Sequence, residues 1–106
     1  MKVSVIVPAY NARKTIGQCI EALLSQKYQR ENYEVIVIDD GSTDGTADIV
    51  KTYPVKYLYQ RNQGPATARN IGVKEAQGEI ILFTDSDCVP SDNWISEMVK
   101  PFEDKE

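Results

Sequence analysis

The chain has 106 residues, 42% hydrophobic and 26% charged, with a net charge of -4. That is enough for one domain around one core, and the charge has the wrong sign for a nucleic-acid binder. No apolar run reaches membrane-spanning length, Met1 leads into a strand without a leader-like segment, and Cys19 and Cys88 form no CxxC pair. The expectation is a cytoplasmic protein with reduced thiols. With no histidine in the chain, Ser-His-Asp and Cys-His systems and the usual zinc sites are excluded. Chemistry is left to carboxylates, backbone amides and cations.

Residues 3–7 are almost wholly apolar and β-branched, the pattern of a strand covered on both faces, and Pro8 is expected to end it. Asn11 is placed to cap a helix whose apolar residues Ile16, Ile20, Leu23 and Leu24 recur at helical spacing, fading near Tyr28. A polar connection, residues 29–32, leads to a second buried strand, residues 35–38, which runs into Asp39 and Asp40. Residues 41–45 are turn chemistry, with Asp44 or Ser42 capping a short helix through Ile49 and Val50.

A less apolar third strand at residues 56–59 suits a sheet edge. After the turn at 62–64, Pro65 fits the first position of a third helix whose Ala66, Ala68, Ile71, Gly72 and Ala76 suit close approach to a sheet, with Gly78 as its C′ residue. Residues 79–84 are taken as the central strand, ending in Asp85-Ser86-Asp87. A fourth helix, capped near Ser91 or Asp92, carries Ile95, Met98, Val99 and Phe102 on one face and leads to a frayed, charged tail, residues 103–106. Cys88 reads as a small buried filler, Trp94 as core edge and Gly72 as a packing residue.

Four alternations of strand and helix predict an α/β fold, a Rossmann-like open parallel sheet with flanking helices. In strand order 3-2-1-4 the switch point lies between the first and fourth strands, where such sheets bind ligands at the carboxyl ends. The loops meeting there carry Pro8 to Asn11, Asp39 to Ser42 and Asp85 to Asp87. Alternation along an extended chain would turn Asp85 and Asp87 the same way. At about 4 Å two such charges repel by ~1 kcal/mol in water and ~4 kcal/mol at a partly buried surface, which a divalent cation relieves.

Val3 to Asn11, then Val37 to Asp44, then Ala68-Arg69-Asn70-Ile71-Gly72, then Asp85-Ser86-Asp87, in this order and spacing, resemble the signature of glycosyltransferase family 2. The resemblance spans the chain but corresponds to the donor-binding first half of such a domain, so a longer parent protein is implied. It implies a GT-A fold that transfers a sugar, with inversion, from a nucleotide diphosphate donor, most often a UDP-sugar, to a carbohydrate or lipid-linked acceptor hydroxyl. It also implies residue roles. Pro8, Ala9 and Tyr10 would line the base pocket, and Asp40 with Asp39 would accept from base or ribose. Arg69 would lie near base or phosphates, Asp85 and Ser86 toward the donor, and Asp87 with Asp85 would hold Mn2+ or Mg2+. Relatives acting on lipid-linked acceptors imply work at the cytoplasmic face of the membrane. No residue matches the family's general base, so a catalytically silent donor-binding module is the alternative. An open sheet edge would favour a homodimer.

Other resemblances are weaker. Asp85-Ser86-Asp87-Cys88-Val89 is similar to the opening motif of haloacid dehalogenase-like phosphatases, but that motif sits on the first strand and here follows the fourth. Sugar nucleotidyltransferases have a glycine-rich loop where this chain has Pro8-Ala9-Tyr10-Asn11. Asp40 to Gly45 mimics the start of a calcium loop, yet its twelfth position is Lys51 rather than an acid.

Overall fold

Parallel pairing of short apolar strands sets the architecture, seen in a computed structural model that describes residues 1–103. Strand β1 (Val3–Ala9) pairs in parallel with β2 (Tyr33–Asp40) on one side and β4 (Ile80–Phe83) on the other, and β3 (Lys56–Gln60) closes the far side of β2. The order β3-β2-β1-β4 is the expected one. Four helices connect and follow the strands: α1 (Ile16–Leu24), α2 (Thr46–Val50), α3 (Pro65–Glu75) and α4 (Trp94–Glu103). The tail expected to fray lies mostly outside the described residues, since Glu103 still belongs to α4 and residues 104–106 are not described.

Period-two alternation divides the interior into two layers. Val5, Val7, Val35 and Val37 meet Ile16, Ile20 and Leu23 of α1, Val50 of α2, and Ile95 and Val99 of α4. Ile6, Ile36 and Ile38 point the other way and meet Ala68 of α3. Each fully buried Val, Ile or Leu contributes roughly 1.5–3 kcal/mol. Gly72 lies in the second layer, where α3 sits directly on the side chains of Ile6 and Ile38.

Several elements differ from expectation, each for a local reason. Pro8 does not end β1: it pairs in register with Ile38. Ile6 O accepts from Thr84 N–H, so by alternation the missing N–H of Pro8 faces the β4 side, beyond the end of β4. The second strand likewise runs two residues further than its apolar core and includes both aspartates. The first helix begins at Ile16 after a turn closed by Ala12 O and ends at Leu24, not near Tyr28. Residues 30–32 form a single 3-10 turn.

Asn11 is not a cap. It holds a left-handed backbone (φ 46) and ties two loops together. Gly45 is the N-cap of α2 (φ 95), while Asp44, one residue earlier, accepts from Thr46 N–H at 3.1 Å. Pro65 begins α3 as expected. Gly78 is not the C′ residue, because α3 already ends in extended backbone at Ala76. Gly78 instead lets the chain pass β1, where a Cβ would stand 2.6 Å from Ser4 N.

Among the described residues β4 is an edge strand, not a central one, and Phe83 at its end is 46% exposed. Met98 and Phe102 of α4 are also exposed, so only Ile95 and Val99 of the expected apolar face reach the core. Trp94 packs against that core as a partly buried residue. Among the described residues no helix is long and apolar enough to cross a membrane.

Candidate active site

The carboxyl ends of three strands and the start of α3 enclose a cleft of about 420 Å³. Its walls come from Pro8, Ala9 and Tyr10 at the end of β1, Asp40 at the end of β2, and Asp85 and Ser86 after β4. Arg69 of α3 and the β3–α3 loop (Asn62, Gly64) with Pro65 complete it. A second hollow of about 250 Å³ shares Pro8, Arg69 and Asp85 and continues past Phe83 to Cys88 and Trp94. Residues distant in sequence thus meet at one rim, at the switch between β1 and β4.

The β1 wall is fixed by a reciprocal latch. Asn11 N–H donates to Ser42 Oγ at 2.8 Å, and Thr43 N–H donates to Asn11 Oδ1 at 2.8 Å. Beside it, Ala12 N–H donates to Thr46 Oγ1 at 2.9 Å and Arg13 N–H to Asp44 at 3.1 Å. The hydrogen bond from the Thr46 hydroxyl, with backbone donors, holds the Asp44 carboxyl below its ordinary range. Exposed Tyr10 projects from this braced loop.

The two β2 aspartates part ways, because consecutive strand residues point to opposite faces. Asp40 reaches the cleft and is 4% exposed. Its Oδ1 accepts from Gln60 Nε2 at 2.6 Å and Gln63 N–H at 2.7 Å, and its Oδ2 accepts from Gly64 N–H at 3.1 Å. Burial alone would raise its pKa; the hydrogen bonds from Gln60, Gln63 and Gly64 outweigh that and hold it below the ordinary value. Asp39, fully buried, is not part of the cleft lining. It accepts from Ser42 N–H at 2.9 Å and from Tyr57 Oη at 2.7 Å, and so supports the loops from behind.

Asp85 and Asp87 do converge, though not by strand alternation. The chain leaves extended geometry after Phe83 and turns, with Cys88 N–H donating to Asp85 O at 3.1 Å. The turn brings one ligand atom each from Asp85, Asp87 and Cys88 within 4.8 Å of one another, all three residues exposed. Cys88 is therefore no buried filler. Two closely set, solvent-facing carboxylates fit a hard cation that keeps water and phosphate oxygens as its remaining ligands. Cys19, by contrast, is buried, its Sγ 3.6 Å from Asp85 O. Arg69 has no ion pair or hydrogen bond among the described residues, which leaves its guanidinium available beside Asp85.

Asn62, Gly64 and Pro65 are lining residues that sequence patterning read only as a turn and a helix start. The strand register pairs Asp40 with Gln60. It alone reveals that this turn folds back onto the β2 acid.

The open parallel sheet with an acid-rimmed cleft at its switch point is that of GT-A glycosyltransferases, which it superposes on. Residues 4–106 match the profile of Glycosyl transferase family 2, and the chain belongs to that family. It is 39% identical over 99 residues to glycosyltransferase AglE of Haloferax volcanii, covering 88% of this chain and 33% of that protein. The structure of Staphylococcus aureus TarS residues 1–349 in complex with UDP-GlcNAc superposes with a TM-score of 0.86 at 35% identity, over 97% of this chain and 31% of that one. Mannosyltransferase PcManGT from Pyrobaculum calidifontis, in complex with GDP-Man and Mn2+, gives a TM-score of 0.84 at 34% identity, over 93% and 31%. The chain thus spans about a third of each of these proteins. Membership in this family, with the Asp85-to-Asp87 segment following the fourth strand rather than the first, leaves the dehalogenase-like resemblance without support.

Proposed function

We propose that this chain is the donor-binding half of an inverting glycosyltransferase that moves a sugar from a uridine diphosphate donor to an acceptor hydroxyl. The observation that carries the proposal is the gathering of Asp40, Arg69 and Asp85 around one cleft at the rim of the sheet, with Asp87 in the adjoining turn. The similarity to a structure holding UDP-GlcNAc supports uracil as the base; the similarity to one holding GDP-Man keeps guanine as the competing choice.

Each residue takes a role from its position. Pro8, Ala9 and the exposed ring of Tyr10 form an apolar wall for a flat base. Asp40, ionised and fixed, accepts from a base or ribose donor. Arg69 faces the diphosphate as a charge-assisted donor, with Ser86 beside it. Asp39 acts indirectly, through the Ser42 N–H and Tyr57 bonds that set the loops. Asp87 and Asp85 would hold Mn2+ or Mg2+. When bound, the cation would neutralise charge on the departing diphosphate. Inversion calls for a single in-line attack by the acceptor hydroxyl, and the general base for it is assigned to a part of the protein outside these 106 residues. The acceptor in this reading is a carbohydrate or a lipid-linked molecule that presents a hydroxyl.

Calorimetry with UDP, with and without Mn2+, tests the donor site. Metal-dependent binding that is lost in Asp87→Ala is expected; binding indifferent to both metal and substitution would remove Asp87 from the site. A second reading is a donor-binding module without turnover. Sugar transfer or donor hydrolysis by the intact protein rules that out. The open edge of β4 supports self-association of the isolated chain, and a concentration-independent monomer mass by light scattering would refute it.

A further inference from the structure

Gln60 is the last residue of β3 and stands in parallel register with Asp40, so the two side chains project from neighbouring strands toward the same layer. Gln60 is 6% exposed, and its Nε2 donates to Asp40 Oδ1 at 2.6 Å and more distantly to Gly64 O at 3.4 Å. Its Oε1 is buried and has no hydrogen-bond partner. Turning the amide over would set that oxygen against the carboxylate, acceptor against acceptor, so the observed orientation is the one Asp40 dictates. A buried amide that served packing alone would be expected to satisfy both ends. Here one end is left unmatched while the other grips a carboxylate of the cleft.

The grip is asymmetric. Oδ1 of Asp40 takes the two shortest bonds, from Gln60 and from Gln63 N–H. Oδ2 has only Gly64 N–H at 3.1 Å and Asn62 Nδ2 at 3.5 Å. We propose that Gln60 is a positioning residue for nucleobase recognition: by occupying Oδ1 it locks the carboxylate against the β3–α3 loop and leaves Oδ2 as the acceptor for an N–H on the base edge. This rests on the donor-site function given above. A rigid acceptor selects bases that present an imide or amide N–H, such as uracil or guanine, over cytosine, whose corresponding ring nitrogen is an acceptor. The diphosphate, held by other residues, gains nothing from Gln60.

The test compares UDP with inorganic pyrophosphate, both in the presence of Mn2+, by calorimetry on the intact protein. In the wild type UDP is expected to bind more tightly than pyrophosphate; equal affinities would sink the base-pocket reading itself. In Gln60→Met, which keeps volume but loses the donor, UDP affinity is expected to fall about tenfold, the scale of one charged hydrogen bond, with pyrophosphate unchanged. Gln60→Leu, smaller and equally without a donor, is expected to repeat that selective loss should the first variant fold poorly. Equal weakening of both ligands, or of neither, in a folded variant would reduce Gln60 to a structural residue and overturn the proposal.

Discussion

Gly72 of α3 rests so closely on Ile6 of β1 that a methyl group there would stand 2.5 Å from Ile6 Cγ2, and 3.0 Å from Ile38 Cδ1 beyond it. Ile6 is fully buried and cannot swing aside. Alanine favours a helix over glycine by roughly 0.5–1 kcal/mol, but overpacking a tight core costs about 1–3 kcal/mol. Gly72→Ala is therefore expected to lower stability and, by tilting α3, to shift Arg69 in the cleft and weaken the donor binding proposed there. Thermal melts should show a lower Tm, and the combined Ile6→Ala, Gly72→Ala protein should lose less than the sum of the single changes.

Asp40 predicts a pH dependence of known sign. Its folded-state value lies below the ordinary 3.8, so the stability it contributes is complete above that pH and is lost as pH falls through the folded value. In Asp40→Asn this component vanishes. Urea titrations at several pH values should show the variant weaker near neutrality, with the gap closing in acid; a gap that widens in acid would contradict the sign.

Tyr57 holds the hidden acid. Burial first, and the bond to Asp39 second, push its pKa up, so it remains an O–H donor at any physiological pH. Tyr57→Phe leaves one oxygen of fully buried Asp39 without that partner, which should cost about 1–3 kcal/mol. Denaturant midpoints measure this directly.

Asn11 joins a strained backbone to a bridging side chain. Asn11→Gly keeps the left-handed conformation but loses the bond to Thr43, whereas Asn11→Ala loses both advantages. The alanine variant is expected to be the less stable by about 1 kcal/mol, and a Tm order with alanine above glycine would be inconsistent with the observed backbone.

The sheet was legible because its strands are short, β-branched runs separated by amphipathic helices, and Gly72 and Pro65 stood where such packing wants them. The ends of the elements were less legible. Nothing local says that Pro8 continues a strand, because the answer lies in how short its neighbour β4 is. Asp39 and Asp40 look alike in sequence; only strand alternation sends one behind the loops and the other into the cleft. Convergence of Asp85 and Asp87 was foreseen for a wrong reason, since a turn and not an extended chain brings them together. Gln60 carried no signal at all without the register of β3 on β2.

The two thiols flank Asp85 in opposite circumstances. Burial, with Cys88, Asp87 and Asp85 adding to it, pushes Cys19 up to about 12, while Cys88 stands in solvent beside Asp87. A maleimide dye offered at neutral pH would therefore find a single address, one residue from the carboxylate assigned to the cation. Within these 106 residues the native sequence thus offers its own attachment point for a fluorescent reporter, and manganese, a strong quencher, would dim the dye there if it binds at Asp87 as proposed.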